Sequence, residues 1–267
     1  MATFFASILV AVIQGITEMI PVSSSAHLGL CLSFFNLDEY FVELLIHTDH
    51  LASAFVLFLF YHKGFLCKEF LYICFKIAIY MLPLVLLVLV IDYCISYRDT
   101  LYVWLRTFNI YAFFLVGLGL IICSYTRNNR CQSVSLQNIS NISLCIMGCA
   151  QILSIISGVS RLGVSIVTAR LLGYNYKTAT DVSLMLAIPS ILCSVVRLVF
   201  NPYIREYVSN TLDLYDGLSV VLSFAVTAIV TVMLIRRIVY YMHDKGFVVF
   251  GYYRLCVSIV LLVIHIL

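Results

Sequence analysis

An all-α polytopic membrane fold is predicted from three features of the 267-residue chain. Apolar residues make up 63% and charged residues only 11%, against about 45–50% and about 25% in a soluble domain. That charge cannot cover a water-facing surface, which excludes a soluble, disordered or nucleic-acid-binding protein. The apolar residues come in long runs and not in alternation, which argues against a transmembrane barrel. Finally, two apolar stretches are broken by polar residues, as no lipid-facing helix would be. The net charge of +3 is mild and is read loop by loop.

The elements follow in order. Phe4–Phe35 begins apolar but is interrupted by Gln14, Glu18, Pro21 and Ser23-Ser24-Ser25. The first basic residue of the sequence comes only at Lys63, so the positive start of a secretory signal is missing and the segment is expected to be retained. Leu44–Phe60, Phe70–Ile91 and Phe108–Cys123 are three spans, each about long enough for a crossing at 1.5 Å per residue. Ile139–Leu172 is the second broken stretch, interrupted by Gln151, Ser157, Gly158, Ser160, Arg161 and Gly163. Asp181–Phe200, which contains Pro189, Tyr215–Ile235 and Phe247–Leu267 complete about six spans. Polar loops separate them, including Asp92–Arg106 and Asn201–Asp213. Most of the ten cysteines lie within apolar runs and read as small packing residues, not disulfide partners.

Both broken stretches read as re-entrant helical hairpins, because irregular backbone at membrane depth must line a protein cavity. They also resemble each other. At a constant offset Gln14 falls on Gln151, Val22 on Val159, Ser23 on Ser160 and Ser24 on Arg161. The identities are few, so chance stays an alternative. A true repeat would comprise residues 1–123 and 139–267, joined by the polar loop 124–138, within a single membrane domain. Three spans between the copies would invert the second one, the arrangement in which paired broken helices meet at a central site. Loops with Lys63, Lys68, Arg127, Arg130, Lys177, Arg236, Arg237 and Lys245 fall on one face, and Arg98, Arg106 and Arg205 on the other. The first face is therefore expected to be cytoplasmic, with the first hairpin opening outward.

Ionisable residues inside a membrane are costly, which marks Glu18 and Arg161 as functional candidates. Gln14 and Glu18, four apart, share one helical face, and Pro21 stops or kinks that helix. The following serines can cap the next helix and lie three or four residues before His27. A helix start with exposed N–H groups is an anion site. Another follows Gly158-Val159-Ser160, where Arg161 adds a fork-shaped cation suited to phosphate. Acid, imidazole, hydroxyls and guanidinium together point to phosphoryl transfer. A structural Glu–Arg pair, plain serine caps and a lipid or anion transporter or flippase on the same scaffold remain alternatives. His47-Thr48-Asp49-His50 reads either as a polar cavity lining or as a metal cluster.

Gln14-x-x-x-Glu18 followed by Pro21-Val22-Ser23-Ser24-Ser25-Ala26-His27 resembles the first motif of the undecaprenyl-diphosphate phosphatases, the bacitracin-resistance family. That motif reads Glu or Gln, three residues, Glu, then Pro-Val-Ser-Ser-x-x-His. Ser157-Gly158-Val159-Ser160-Arg161-Leu162-Gly163-Val164-Ser165 is similar to its second, Pro-Gly-x-Ser-Arg-Ser-x-x-Thr. The resemblance runs from about residue 5 to the C-terminus. It implies an inverted repeat with two re-entrant hairpins and removal of the terminal phosphate of a C55 polyprenyl diphosphate, which recycles the lipid carrier of cell-wall synthesis. It also implies a divalent cation, Mg2+ or Ca2+, and an inner-membrane location with the site toward the periplasm. Carried over, Glu18 is the carboxylate for metal or base work, Ser24 the candidate nucleophile, His27 its acid/base partner and Arg161 the diphosphate clamp. Gln14, Ser23, Ser25, Gly158 and Ser160 bind substrate. The implied partners are the lipid substrate and membrane lipid, with a homodimer left open. Ser157 for proline, Leu162 for serine and Ser165 for threonine depart from the pattern; Ser157 and Ser165 keep a small residue or a hydroxyl, whereas Leu162, together with an amide at the first motif position Gln14, lowers the charge and hydrogen bonding expected of the site.

Overall fold

The computed structural model describes residues 2–65, 68–94, 109–125 and 134–266. Among them there is no strand. The helices are α1 (Ala2–Thr17), α2 (Ser24–Leu32), α3 (Glu39–Phe65), α4 (Lys68–Cys94), α5 (Ile110–Tyr125), α6 (Asn141–Ala150), α7 (Arg161–Leu171), α8 (Tyr176–Phe200), α9 (Pro202–Asn210), α10 (Leu214–Lys245) and α11 (Val248–Ile266). Short 3-10 turns cover Leu136–Asn138 and Gln151–Ile155. Among the described residues, segments of α3, α8 and α10 are long and apolar enough to cross a bilayer, and shorter apolar segments come from α1, α4, α5, α6 and α11. The chain is an all-α polytopic membrane protein.

Both broken stretches fold as helix–break–helix units: α1 and α2 around residues 18–23, and α6 with its 3-10 turn and α7 around residues 156–160. The spans lie where apolar runs predict them, though α3 and α8 start several residues early and α10 runs about three turns past its expected end at Ile235, taking in the polar residues 236–245 that read as a loop, because its last turns still bury Val239 and Met242. Residues 201–213, read as a polar loop, contain the extra helix α9. Its start combines Pro202 in the first turn with Asn201, whose side chain accepts from the Tyr203 amide, the residue types that open helices. It buries Ile204 and Tyr207. Most of the proposed joint, at 126–133, lies outside the described residues, as do Arg98 and Arg106.

Glycines and hydroxyls set the helix pairings. α1 packs along α10, and α5 along α11. A Cβ on Gly15 would fall 2.9 Å from Val230 Cβ, so only glycine allows this approach. Across the same contact, Thr227 and Thr231 donate to the carbonyls of Ala11 and Gly15 at 3.2 and 3.5 Å, and Ser223 Oγ lies 3.2 Å from the carbonyl of Ser7. Hydroxyls four apart on one helix thus meet carbonyls four apart on the other. In an apolar interior each such bond contributes about 0.6 kcal/mol. α3 packs against both α8 and α10, and α4 against α6 and α8. The two breaks meet at the centre of this arrangement.

Candidate active site

The first break is built by Pro21, which lacks an amide hydrogen to extend a helix. The helical ladder of α1 ends with Glu18 N–H donating to the Gln14 carbonyl at 3.0 Å. The chain then turns, with Ser23 at φ 70°, and α2 starts at Ser24. Ser23 does not cap α2 through its side chain, contrary to the expectation from its position. Its left-handed backbone directs Oγ instead to Ser25 Oγ at 3.2 Å. The N–H groups of the first α2 turn therefore carry no side-chain cap from Ser23, and the helix start, with the positive end of its dipole, is at the residues Ser23–Ser25 that line a cleft.

The second break differs. Gly158 has φ 101° and Ser160 φ 23°. Ser160 does cap its helix, accepting from Gly163 N–H at 3.1 Å. Arg161 is the first residue of α7, and Gln151, fully buried, donates to Ser165 Oγ at 2.9 Å.

The carboxylate of Glu18 joins the two breaks. Its side chain is 7% exposed. Oε2 accepts from Ser24 Oγ at 2.6 Å and from Gln14 Nε2 at 3.0 Å, and His50 Nδ1 lies 3.2 Å away. Oε1 meets the Arg161 guanidinium at 3.4 Å across 143 positions of sequence. An open cleft lies over this cluster. Its walls include Thr17, Glu18, Ser23, Ser24 and Ser25 from the first hairpin, Ser154, Ser160, Arg161 and Leu162 from the second, and Ala187 of α8. Leu162 presents an apolar wall where the motif has a hydroxyl.

Several expected roles shift. His27 does not hydrogen-bond Ser24: its Nδ1 lies 2.8 Å from the Ser23 carbonyl and its Nε2 2.6 Å from the Tyr253 hydroxyl. A carbonyl only accepts, so Nδ1 carries the proton and, in neutral imidazole, Nε2 accepts from the phenol. The two rings stack at 5.7 Å. Ser24 gives its proton to Glu18, because the turn at Ser23 brings the carboxylate within reach. Gln14 lies beneath the cleft. Gly158 acts through its backbone. His47, Asp49 and His50 do not gather as a metal cluster: among the described residues no three of His, Cys, Asp and Glu do. Asp49 points about 100° around the helix from His50, while His47 and His50, three apart, share a side with ring centres 6.5 Å apart. His50 thus faces Gln14 at 2.7 Å, Asp49 binds Ser223 Oγ with both oxygens at 2.8 and 2.7 Å, and His47 reaches the Glu43 carbonyl. Sequence reasoning missed His50, Tyr253 and Arg254 as site neighbours. An intramembrane charge was the available signal for Arg254, which stands alone in an apolar span.

Paired broken helices, an uncapped helix start and a carboxylate–serine–arginine cluster define a polytopic membrane protein with a polar cleft between two hairpins. The model of the bacitracin resistance protein BacA family matches residues 7–260, and the chain belongs to that family. It is similar to the undecaprenyl-diphosphatase of Flavobacterium johnsoniae, with 30% identity over 97% of this chain and 95% of the relative. It is also similar to those of Enterococcus faecalis (27%; 96% and 95%) and Campylobacter jejuni (28%; 95% and 91%).

Proposed function

We propose that the protein is a membrane phosphatase that removes the terminal phosphate of undecaprenyl diphosphate. The reading rests above all on one observation: Glu18 binds Ser24 from its own hairpin and Arg161 from the other, beneath a shared cleft. The names of the relatives supply the substrate.

The chemistry follows from the contacts. Ser24 Oγ donates to Glu18 at 2.6 Å, so as Oγ attacks the terminal phosphorus its proton passes to the carboxylate. The bond from that phosphorus to the bridging oxygen breaks, and undecaprenyl phosphate leaves. Water then hydrolyses the phosphoserine, releasing inorganic phosphate and restoring the Ser24 hydroxyl. Arg161 and the N–H groups of α2 offset charge on the phosphoryl oxygens. His27, held by Tyr253 outside the cleft lining, is a positioning group for the Ser23 carbonyl.

The donor set fits a divalent cation. Glu18 Oε1 has its contact with Arg161 at the long distance of 3.4 Å, and Gln14 Oε1 is buried without a hydrogen-bond partner. Both are oxygen ligands of the hard type, and a site with one carboxylate is completed by phosphate oxygens and water. When bound, the ion would offset phosphate charge. The same reading places the protein in a bacterial plasma membrane with the cleft toward the periplasm, supported by the uneven loop charge. An inverted repeat is supported by the pairings: α1 with α10 parallels α6 with α4, and α3 with α10 parallels α8 with α4.

The test is phosphate release from undecaprenyl diphosphate in detergent with magnesium or calcium. The wild type releases phosphate, and Ser24→Ala forms neither phosphate nor a trapped phosphoenzyme. Wild-type hydrolysis without detectable phosphoserine, retained in Ser24→Ala, would assign attack to water.

A further inference from the structure

We propose that Arg254 is the positioning residue that holds the two hairpin breaks in fixed relation, and so sets the span between Ser24 and Arg161. Arg254 is fully buried in the middle of α11, and a cation at such a depth calls for a role. Its partners are carbonyls from three separate segments. NH1 donates to Pro21 in the first break at 3.2 Å, NH2 to Gly158 in the second at 2.6 Å, and Nε to Phe113 of α5 at 3.0 Å. The guanidinium also lies 4.1 Å from the centre of the Phe113 ring.

The choice of carbonyls carries the inference. Pro21 and Gly158 are 137 positions apart, the same offset that relates Gln14 to Gln151 and Ser23 to Ser160. One guanidinium thus bridges equivalent points of the two hairpins. Each point lies two residues before the positive-φ serine that starts the next helix. These are places where the helical ladder is interrupted and a carbonyl needs an outside donor. Arg254 supplies both with one rigid, planar group, whose donors have a fixed geometry. The close contact of α11 with α5 makes this feasible: a Cβ on Gly117 would fall 2.8 Å from Arg254 Cβ.

Arg170 provides the contrast. It is also buried and also donates to carbonyls, those of Cys123 and Tyr174, but neither belongs to a break. The inference concerns the site proposed above and depends on that reading for its activity readout only.

The experiment compares wild type, Arg254→Lys, Arg254→Gln and Arg170→Gln in detergent by hydrogen–deuterium exchange and phosphate release. Lysine keeps a cation over Phe113 but cannot reach all three carbonyls, so it carries the test if glutamine prevents folding. Both Arg254 variants are expected to raise exchange about tenfold or more in segments 18–26 and 156–163 together, since local opening reports lost anchoring. Arg170→Gln leaves both segments within about twofold of wild type. The kcat of Arg254→Lys falls on the order of 100-fold, the cost of an ångström-scale misplacement. Loosening of one break only, of neither, or equally in Arg170→Gln overturns the proposal. If both breaks loosen but the wild type hydrolyses no diphosphate, the positioning role stands and the phosphatase reading falls.

Discussion

The two hairpin breaks start from similar sequence and end with opposite chemistry. Each has a buried glutamine before the break, a serine at positive φ, and a helix starting at the next residue. In the first, Ser23 leaves α2 without a side-chain cap and the local charge is the Glu18 carboxylate. In the second, Ser160 closes the helix start and the local charge is the Arg161 guanidinium. The first break therefore presents a hydroxyl, a carboxylate and N–H groups without a side-chain cap, and the second presents a guanidinium. Neither alone can both activate a nucleophile and neutralise phosphate. The difference shows what each break brings to the point where Glu18 meets Arg161.

The comparison can be broken most severely at Glu18. Glu18→Gln removes the acceptor for the Ser24 proton and is expected to lower kcat by roughly 100- to 10,000-fold, the usual worth of a positioned base, measured by phosphate release. Next comes Arg161→Met, expected to cost about 100-fold or more in kcat, as for loss of one oxyanion donor. Arg161→Lys should recover part of it, because a point charge remains while the fork is lost. A smaller effect is expected from Gln14→Glu, which adds a second carboxylate beside Glu18. The concentration of magnesium giving half-maximal activity should fall, and an unchanged value would remove Gln14 from the cation site. The smallest effects distinguish the serines. Ser160→Ala loses a real cap and should cost about 1 kcal/mol of stability, read as a lower unfolding temperature in detergent. Ser23→Ala, with no cap to lose, should unfold at a temperature close to that of the wild type.

Much of the site was legible in the sequence because its signals are local. Four-residue spacing put Gln14 and Glu18 on one face, and they do hydrogen-bond. The polar interruptions in apolar stretches marked the breaks, and the residue types at Glu18, Ser24 and Arg161 marked the cluster. What was not legible needs contacts between distant segments. His50 lies in a run with His47, Thr48 and Asp49, and nothing in that run tells which one meets Glu18. The partner of His27 is Tyr253, 226 positions away, while the nearby serine hydroxyls suggested a local one. Helix α9 was hidden because its few apolar residues look like a loop until Ile204 and Tyr207 find a surface to bury against.

The sequence by itself determined that the chain lives in a membrane, since so little charge leaves no water-soluble alternative, and it determined which residue types stand at the two breaks. Only the tertiary structure decided how those residues are used. The positive φ of Ser23 gives the proton of Ser24 to Glu18 and not to His27. The packing of α11 on α5 brings Arg254 to both breaks at once. The physical reason is that spacing along one helix fixes which side chains are neighbours on that helix. Hydrogen bonds between helices depend on where close packing sets the helices, and here glycines and hydroxyls at the helix contacts decide that.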